Sequence, residues 1–256
     1  MLSNGQQAAA FIKVLRPALD AANLTNVGIV CCESTGWQQA QSIYSGIKSS
    51  GADSMLAVVS SHEYTSRAGG SLSTTHHSWS SEYADLNGGW TTSWYSNGGA
   101  GEGMTWANTI YTAIVNANVS SYIAWLGVQD GNTNEKLIQI NSAKTDYQVS
   151  KRLWAFAQYS RTILPGAMRV GTSGGNFKTT AFKNADGSVV FNILNTGTSA
   201  ASVAVAINGL TATTVNAWLT DNTHDMTSQA ATIGTDGSVS GSVPARAMVS
   251  FVVKGA

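Results

Sequence analysis

The sequence predicts an α/β fold of parallel strands followed by an all-β domain. Up to Leu164, short apolar runs alternate with stretches of helical periodicity. From Pro165 onward only short strand-like runs remain, separated by turn residues. The chain has 256 residues and is 43% hydrophobic, enough for one large domain or two smaller ones.

In chain order, Phe11, Ile12, Leu15 and Leu19 recur at helical spacing between Gln6 and Asn23, and Pro17 is expected to kink that helix. The run 26–32 (Asn-Val-Gly-Ile-Val-Cys-Cys) reads as a strand buried on both faces. Residues 36–50 read as a helix and 55–60 as a second buried strand. After a Gly/Ser/Thr-rich loop, 77–83 reads as a third strand. Residues 104–118 follow as a helix, with Trp106, Ile110, Ile114 and Val115 as its apolar stripe. Residues 122–128 read as a fourth strand and 149–163 as a last helix. Four βα units are half of an eight-stranded TIM barrel, which needs roughly 250 residues on its own. Half a barrel would leave an unsealed sheet edge.

Beyond Pro165, the runs 188–194, 201–207, 214–219 and 247–253 are separated by Asp186-Gly187, Asn208-Gly209 and Asp236-Gly237. That pattern predicts a small antiparallel β-sandwich. The expected domains are therefore 1–164 and 165–256. Seven of the eight tryptophans precede Pro165, which assigns the stacking surfaces favoured by sugars to the first domain.

Composition excludes several functions. Lys plus Arg and Asp plus Glu number 14 each, so the basic excess of a nucleic-acid binder is missing. No apolar run reaches the roughly 18 to 20 residues of a membrane span. The residues from Met1 to Gly5 do not read as a signal peptide. Cys31 and Cys32 are adjacent, a spacing that neither staples distant segments nor holds a metal, and they are expected to be two buried apolar side chains on a strand. The four histidines have no H-x-x-x-H pattern. Asn23-Leu-Thr25 and Asn118-Val-Ser120 fit the N-glycosylation acceptor pattern.

In a parallel barrel, reacting groups gather at the carboxyl ends of the strands. Those ends carry Glu33, then His62-Glu63-Tyr64, then Glu82, then Trp125 with Gln129-Asp130. Carboxylates, an imidazole, a phenol and an indole on one rim suit a sugar site, where an indole stacks on a pyranose face. One carboxylate can attack the anomeric carbon while another protonates the departing oxygen. Each residue also has a plainer reading, Glu82 as an acceptor for backbone N–H groups, His62 as a satisfied core histidine and Trp125 as packing.

The string 77–86, His-Ser-Trp-Ser-Ser-Glu-Tyr-Ala-Asp-Leu, resembles the nucleophile strand of glycoside hydrolase family 30, a Trp-x-Ser-Glu-Tyr motif. Residues 31–37 and 61–64 are similar to that family's fifth and sixth strand ends, and 101–108 and 150–160 to its last two barrel helices. The resemblance covers essentially the whole chain, in order. It implies the carboxyl-terminal half of a (β/α)8 barrel, about strands 5 to 8, followed by the family's β-sandwich. It further implies a secreted retaining hydrolase that uses no cofactor. The motifs look most like the fungal branch that cleaves β-1,6-linked galactan, with β-1,6-glucanases as close relatives and a non-catalytic carbohydrate binder as the alternative. By the resemblance Glu82 is the nucleophile, His62 and Tyr64 orient it or bind hydroxyls, and Trp125 is the sugar platform. Trp37 and Glu33 become rim contacts. The substrate is a polysaccharide, with no nucleic acid, membrane or protein partner implied.

The chain departs from the family pattern on its amino-terminal side, where the first four barrel strands, the acid/base and the sandwich strands usually contributed by the amino terminus are expected to be missing. The family's acid/base is a Glu in an Asn-Glu motif on a fourth barrel strand, which has no counterpart here. Asn134-Glu135 lies in a polar loop and is not a substitute. The expectation is a fragment with little activity, since general acid help is worth about 10²- to 10⁴-fold.

Overall fold

The structure is a computed structural model that describes residues 3–255, so Met1 and Leu2 of the amino-terminal segment lie outside the described residues. Its contacts divide the chain into two compact units, Met1–Ala84 with Thr112–Trp125, and Asp85–Tyr111 with Leu126–Ala256. This division differs from the break expected at 164/165, because the segments 85–111 and 126–164 group with the sandwich.

Helix α1 (Gly5–Ala21) starts from a capping box. The Asn4 side chain accepts from the Gln7 N–H (2.9 Å) and the Gln7 side chain accepts from the Asn4 N–H (3.1 Å). The helix runs through Pro17. There follow β1 (Val30–Ser34), α2 (Trp37–Ser49), β2 (Val58–His62), β3 (His77–Glu82), β4 (Asp85–Gly89), α3 (Gly103–Val115) and β5 (Ser121–Tyr122). Strands β1, β2, β3 and β5 form one sheet in that order, and every pairing in it is parallel. Val58, Val59, Ser60 and Ser61 of β2 are all buried, as a strand covered on both faces requires. Ile12 of α1, Ala40, Tyr44 and Ile47 of α2, and Val59 of β2 belong to one apolar cluster that packs helices onto the sheet.

Two strands differ from expectation. The first begins at Val30 rather than Asn26, because its ladder with β2 starts at the Val30–Val58 pair. The fourth is confined to Ser121 and Tyr122, opposite Trp79 and Ser80. Val128 and Gln129 pair instead with Ile138 and Gln139 in the other unit, so the apolar run 122–128 is split between two sheets. The cysteines also differ. Cys31 and Cys32 are joined to each other by a disulfide, across a cis peptide bond. Spacing correctly excluded a bridge between distant segments, but not one between neighbours.

In the second unit, β6 (Val128–Gln129), β7 (Thr133–Asn134), β8 (Ile138–Ile140) and β9 (Tyr147–Val149) lead into α4 (Lys151–Ser160). The sandwich strands are β10 (Met168–Val170), β11 (Lys178–Lys183), β12 (Val189–Asn195), β13 (Ala201–Val205) and β14 (Ala212–Thr220). They continue with β15 (Thr227–Gln229), β16 (Ala231–Ile233), β17 (Val239–Val243) and β18 (Ala247–Gly255). Six of them form a sheet in the order β10-β11-β12-β18-β14-β15, and β13-β17-β16 form a second sheet. Phe191, Val249, Phe251 and Val253 from the first meet Val239 and Val243 from the second in one core. Phe191 and Phe251 stack with ring centroids 4.7 Å apart. A Cβ at Gly241 would lie 2.7 Å from the Phe251 ring, so only glycine admits that ring against β17. The turn glycines Gly187, Gly209 and Gly237 all take positive φ, as the Asx-Gly turns foretold. Among the described residues no helix is long and apolar enough to cross a membrane.

Candidate active site

Five of the six sequence-predicted site residues lie within the first unit at the carboxyl ends of its parallel strands or just beyond them. Parallel pairing places them there: Val58–Ser61 run beside His77–Ser80, and a register shift then sets His62 opposite Glu82. At and just beyond the end of β2 the contacts separate the side chains, with His62 and Tyr64 turned to Glu82 and Glu63 turned to Ser80. The two sides do different work.

On the His62 side, the Tyr64 hydroxyl donates to Glu82 Oε1 at 2.9 Å. His62 Nδ1 lies 3.5 Å from the same oxygen, and its Nε2 lies 3.2 Å from Glu33 Oε2. The imidazole thus stands between two carboxylates. The Ser60 hydroxyl, two residues earlier on the same face, donates to Glu33 Oε1 and is also 2.9 Å from the Cys31 carbonyl oxygen. Glu33 reaches this cluster through a local irregularity. The β1–β2 register shifts between Cys31 and Ser34, and Glu33 adopts φ of +47°. A bulge re-aims a side chain, and a left-handed non-glycine residue costs about 1–3 kcal/mol. Such a cost persists only where surrounding contacts over-determine it, and here Ser60 and His62 supply them.

On the opposite side, Glu63 is 1% exposed. It accepts from the Ser80 hydroxyl (2.6 Å) and from the Ala68 N–H (3.0 Å). Burial and the Glu63 charge together push the Tyr122 hydroxyl well above its ordinary pKa, so this phenol stays protonated. Glu63 is a structural carboxylate that ties β2 to β3 and to the 63–68 loop.

Tyr83 caps the site from behind. Its ring is tilted against Tyr64, centroids 6.0 Å apart, and the Arg67 guanidinium lies 3.5 Å above its centroid. Arg67 also donates to the Tyr83 hydroxyl. Trp125 keeps 46% of its surface exposed, and its backbone N–H donates to the Tyr83 carbonyl at 3.0 Å. That bond fixes its backbone beside the strand of Glu82.

Trp37 is a correction. It opens α2, is only 4% exposed, lies in the apolar core, and donates its indole N–H to the Gly70 carbonyl at 2.7 Å. No face of the ring remains for a sugar. Sequence reading also missed Ser60 and Arg67. Ser60 carried one signal, its position two residues before His62 on the same strand face.

Comparison with known proteins places this geometry. The model of glycosyl hydrolase family 59 matches residues 2–161, and that of the glycosyl hydrolase family 30 β-sandwich domain matches residues 166–251. The catalytic domain of family 30 xylanase C from Talaromyces cellulolyticus is 39% identical, with a TM-score of 0.92 over 99% of this chain and 58% of that one. A family 30 subfamily 8 xylanase from Clostridium acetobutylicum is 18% identical, with a TM-score of 0.75 over 98% of this chain and 61% of its own. An endo-β-1,6-glucanase at 15% identity gives 0.67 over 98% of this chain and 54% of its own. The chain therefore spans little more than half the length of the solved structures it matches. A family 59 model over residues 2–161, a family 30 sandwich model over residues 166–251 and a 39% identical family 30 relative lead to one assignment: this chain belongs to the glycosyl hydrolases and is similar to those of families 59 and 30.

Proposed function

We propose that this chain carries the nucleophile of a retaining glycoside hydrolase, and that the nucleophile is Glu82. The observation behind this reading is the environment of that carboxylate. It sits at the end of a parallel strand, accepts from the Tyr64 hydroxyl and faces the His62 ring. A nucleophilic carboxylate must be ionised, and a donor on one oxygen favours that form while leaving the other oxygen for the anomeric carbon. Trp125, half exposed beside β3, is the aromatic platform for the sugar at that carbon. The four-stranded parallel sheet is, in this reading, part of an eight-stranded barrel of a secreted enzyme.

The substrate we propose is xylan, on the 39% identical xylanase. The motif resemblance to β-1,6-galactanases supports galactan as the second reading, with β-1,6-glucan beside it. Glu63 is not the proton donor, since both of its oxygens are taken inside the core. Both oxygens of Glu33 likewise have donors or an imidazole beside them.

A 2-deoxy-2-fluoro β-xyloside with a dinitrophenolate leaving group tests the reading directly. So good a leaving group departs without a general acid, so the nucleophile reports on its own. The expected result is a mass increment of one fluoro-sugar on the peptide holding Glu82, absent in Glu82→Gln. Labelling elsewhere, or labelling that survives Glu82→Gln, would remove Glu82 from the role. Parallel galactoside and glucoside probes rank the three substrates.

A further inference from the structure

We propose that Glu33 is a positioning residue that locks the proton of His62 on Nε2 and thereby sets what Nδ1 presents to Glu82. The inference rests on Glu82 as the functional carboxylate of this site, but its test does not need turnover.

The argument starts from the imidazole. A neutral ring carries one N–H, and the nitrogen that holds it is decided by the neighbouring acceptors. Here Glu33 Oε2 is 3.2 Å from Nε2, and Glu82 Oε1 is 3.5 Å from Nδ1. The Glu82 oxygen already accepts from Tyr64, whereas Glu33 Oε2 has the ring as its partner. The shorter contact to the less occupied oxygen puts the proton of the neutral ring on Nε2. Nδ1 then turns a lone pair toward Glu82, or a second proton when the ring is charged. The groups facing the ring are Glu33, Glu82 and the Tyr64 ring, which meets it edge-on at 5.8 Å.

Three features show that Glu33 is built to hold this position rather than to reach a sugar. Its backbone takes the left-handed region at a bulge, which turns the side chain to His62. Its other oxygen accepts from Ser60, a buried hydroxyl, so the carboxylate is held at both ends. Both of its oxygens are engaged, one by Ser60 and the other by the His62 ring. This replaces the rim-contact role expected from the sequence.

The test is ring-nitrogen NMR of the full chain labelled with ¹⁵N-histidine and free of sugar, with His62→Asn to assign the signal. At pH 8.5 the wild-type His62 is expected as the Nε2–H tautomer. In Glu33→Ala the ratio of Nε2–H to Nδ1–H is expected to fall about tenfold, the size of losing one charge-assisted hydrogen bond. Glu33→Gln should restore most of the ratio, because its amide oxygen still accepts from Nε2–H. Ser60→Ala should shift it in the same direction as Glu33→Ala but less, and it decides the matter if Glu33→Ala does not fold. An unchanged ratio in both Glu33→Ala and Ser60→Ala, or a wild-type Nδ1–H tautomer, would overturn the proposal. Failure of fluoro-sugar labelling at Glu82 leaves the tautomer ratio as it is, so the two readings fail separately.

Discussion

Replacing Gln158 by Leu should destabilise the second unit by about 2 kcal/mol, and the structure shows why the figure is neither smaller nor larger. Gln158 lies on α4 and is fully buried. Its amide nitrogen donates to Thr220 Oγ1 (2.7 Å) and to the carbonyl oxygens of Trp218 (3.2 Å) and Met248 (3.4 Å). Its amide oxygen accepts from the Ser250 hydroxyl. Leu matches the shape and loses all of these bonds. The loss is partly cushioned, because Thr220 Oγ1 still accepts from the Met226 N–H (3.1 Å) and Ser250 still donates to the backbone carbonyl of residue 158 (2.9 Å). What remains is one poorly satisfied set of buried polar groups, worth about 1–3 kcal/mol. In a unit of this size that lowers Tm by about 2–4 °C per kcal/mol, so about 4–8 °C. Gln158→Glu is the companion variant. It sets a carboxylate against two carbonyl oxygens in a dry site, where burial raises its folded-state pKa above the unfolded value of about 4.3. The folded state then binds more protons than the unfolded one above that pH, so stability must fall as pH rises. Thermal melts of the wild type and both variants at pH 5 and pH 7.5 provide the measurement. A Gln158→Leu protein within 0.5 kcal/mol of wild type, together with a Gln158→Glu deficit independent of pH, would refute this reasoning.

Four further outcomes are expected. Phe251→Ala should cost about 3–5 kcal/mol in urea unfolding, because it empties the stacked pair with Phe191 at the middle of the sandwich, and Gly241→Ala should lose stability by crowding the same ring. Burial opposes the charge of Glu102, but the Ser96 hydroxyl and the N–H groups of Ser96, Asn97 and Gly98 outweigh it and hold its carboxyl below the ordinary value. Its stabilising contribution is therefore complete above about pH 4.3 and lost as pH falls through the lower folded-state value, and Glu102→Gln should flatten the acid limb of a stability-versus-pH curve. Tyr64→Phe removes a hydrogen bond to a charged oxygen worth about 1.5–3 kcal/mol, so the rate of fluoro-sugar labelling at Glu82 should drop about ten- to a hundredfold.

The sequence exposed those features that depend on local pattern. The strand at Val58–His62 was legible because an apolar run between helical segments has few other uses, whereas His77–Glu82, with Trp79 as its one apolar residue, was legible mainly through its resemblance to a known strand motif. The antiparallel strands beyond Pro165 were legible from their Asx-Gly turns, each of which adopts the positive φ that glycine permits. Glu33, His62, Tyr64, Glu82 and Trp125 could be named as strand-end residues, but not how they pair. Which nitrogen of His62 meets which carboxylate depends on a bulge in β1 that no periodicity announces. Trp37 was misjudged because an aromatic at a helix start looks the same in sequence whether it faces solvent or the core, and a carbonyl 33 residues away settles the choice. Gln158 and Glu102 read as ordinary polar residues. Their importance comes from burial, and burial of Gln158 is decided by strands that lie 60 or more residues further along the chain.

The placement of β18 has a consequence for how the protein is made. This strand runs between β12 and β14 at the centre of the larger sandwich sheet and supplies Val249, Phe251 and Val253 to its core. Its partner Val189 pairs with Val253, so the central ladder joins positions more than sixty residues apart. During synthesis β10 to β17 emerge before the strand that seals them, and they wait as hairpins with their apolar faces open. Pairings of such long sequence separation form late and slowly, and incompletely sealed sheets are the species that chaperones capture. The rate at which this sandwich matures should therefore follow the delivery of residues 247–255, whatever speed the parallel sheet attains on its own.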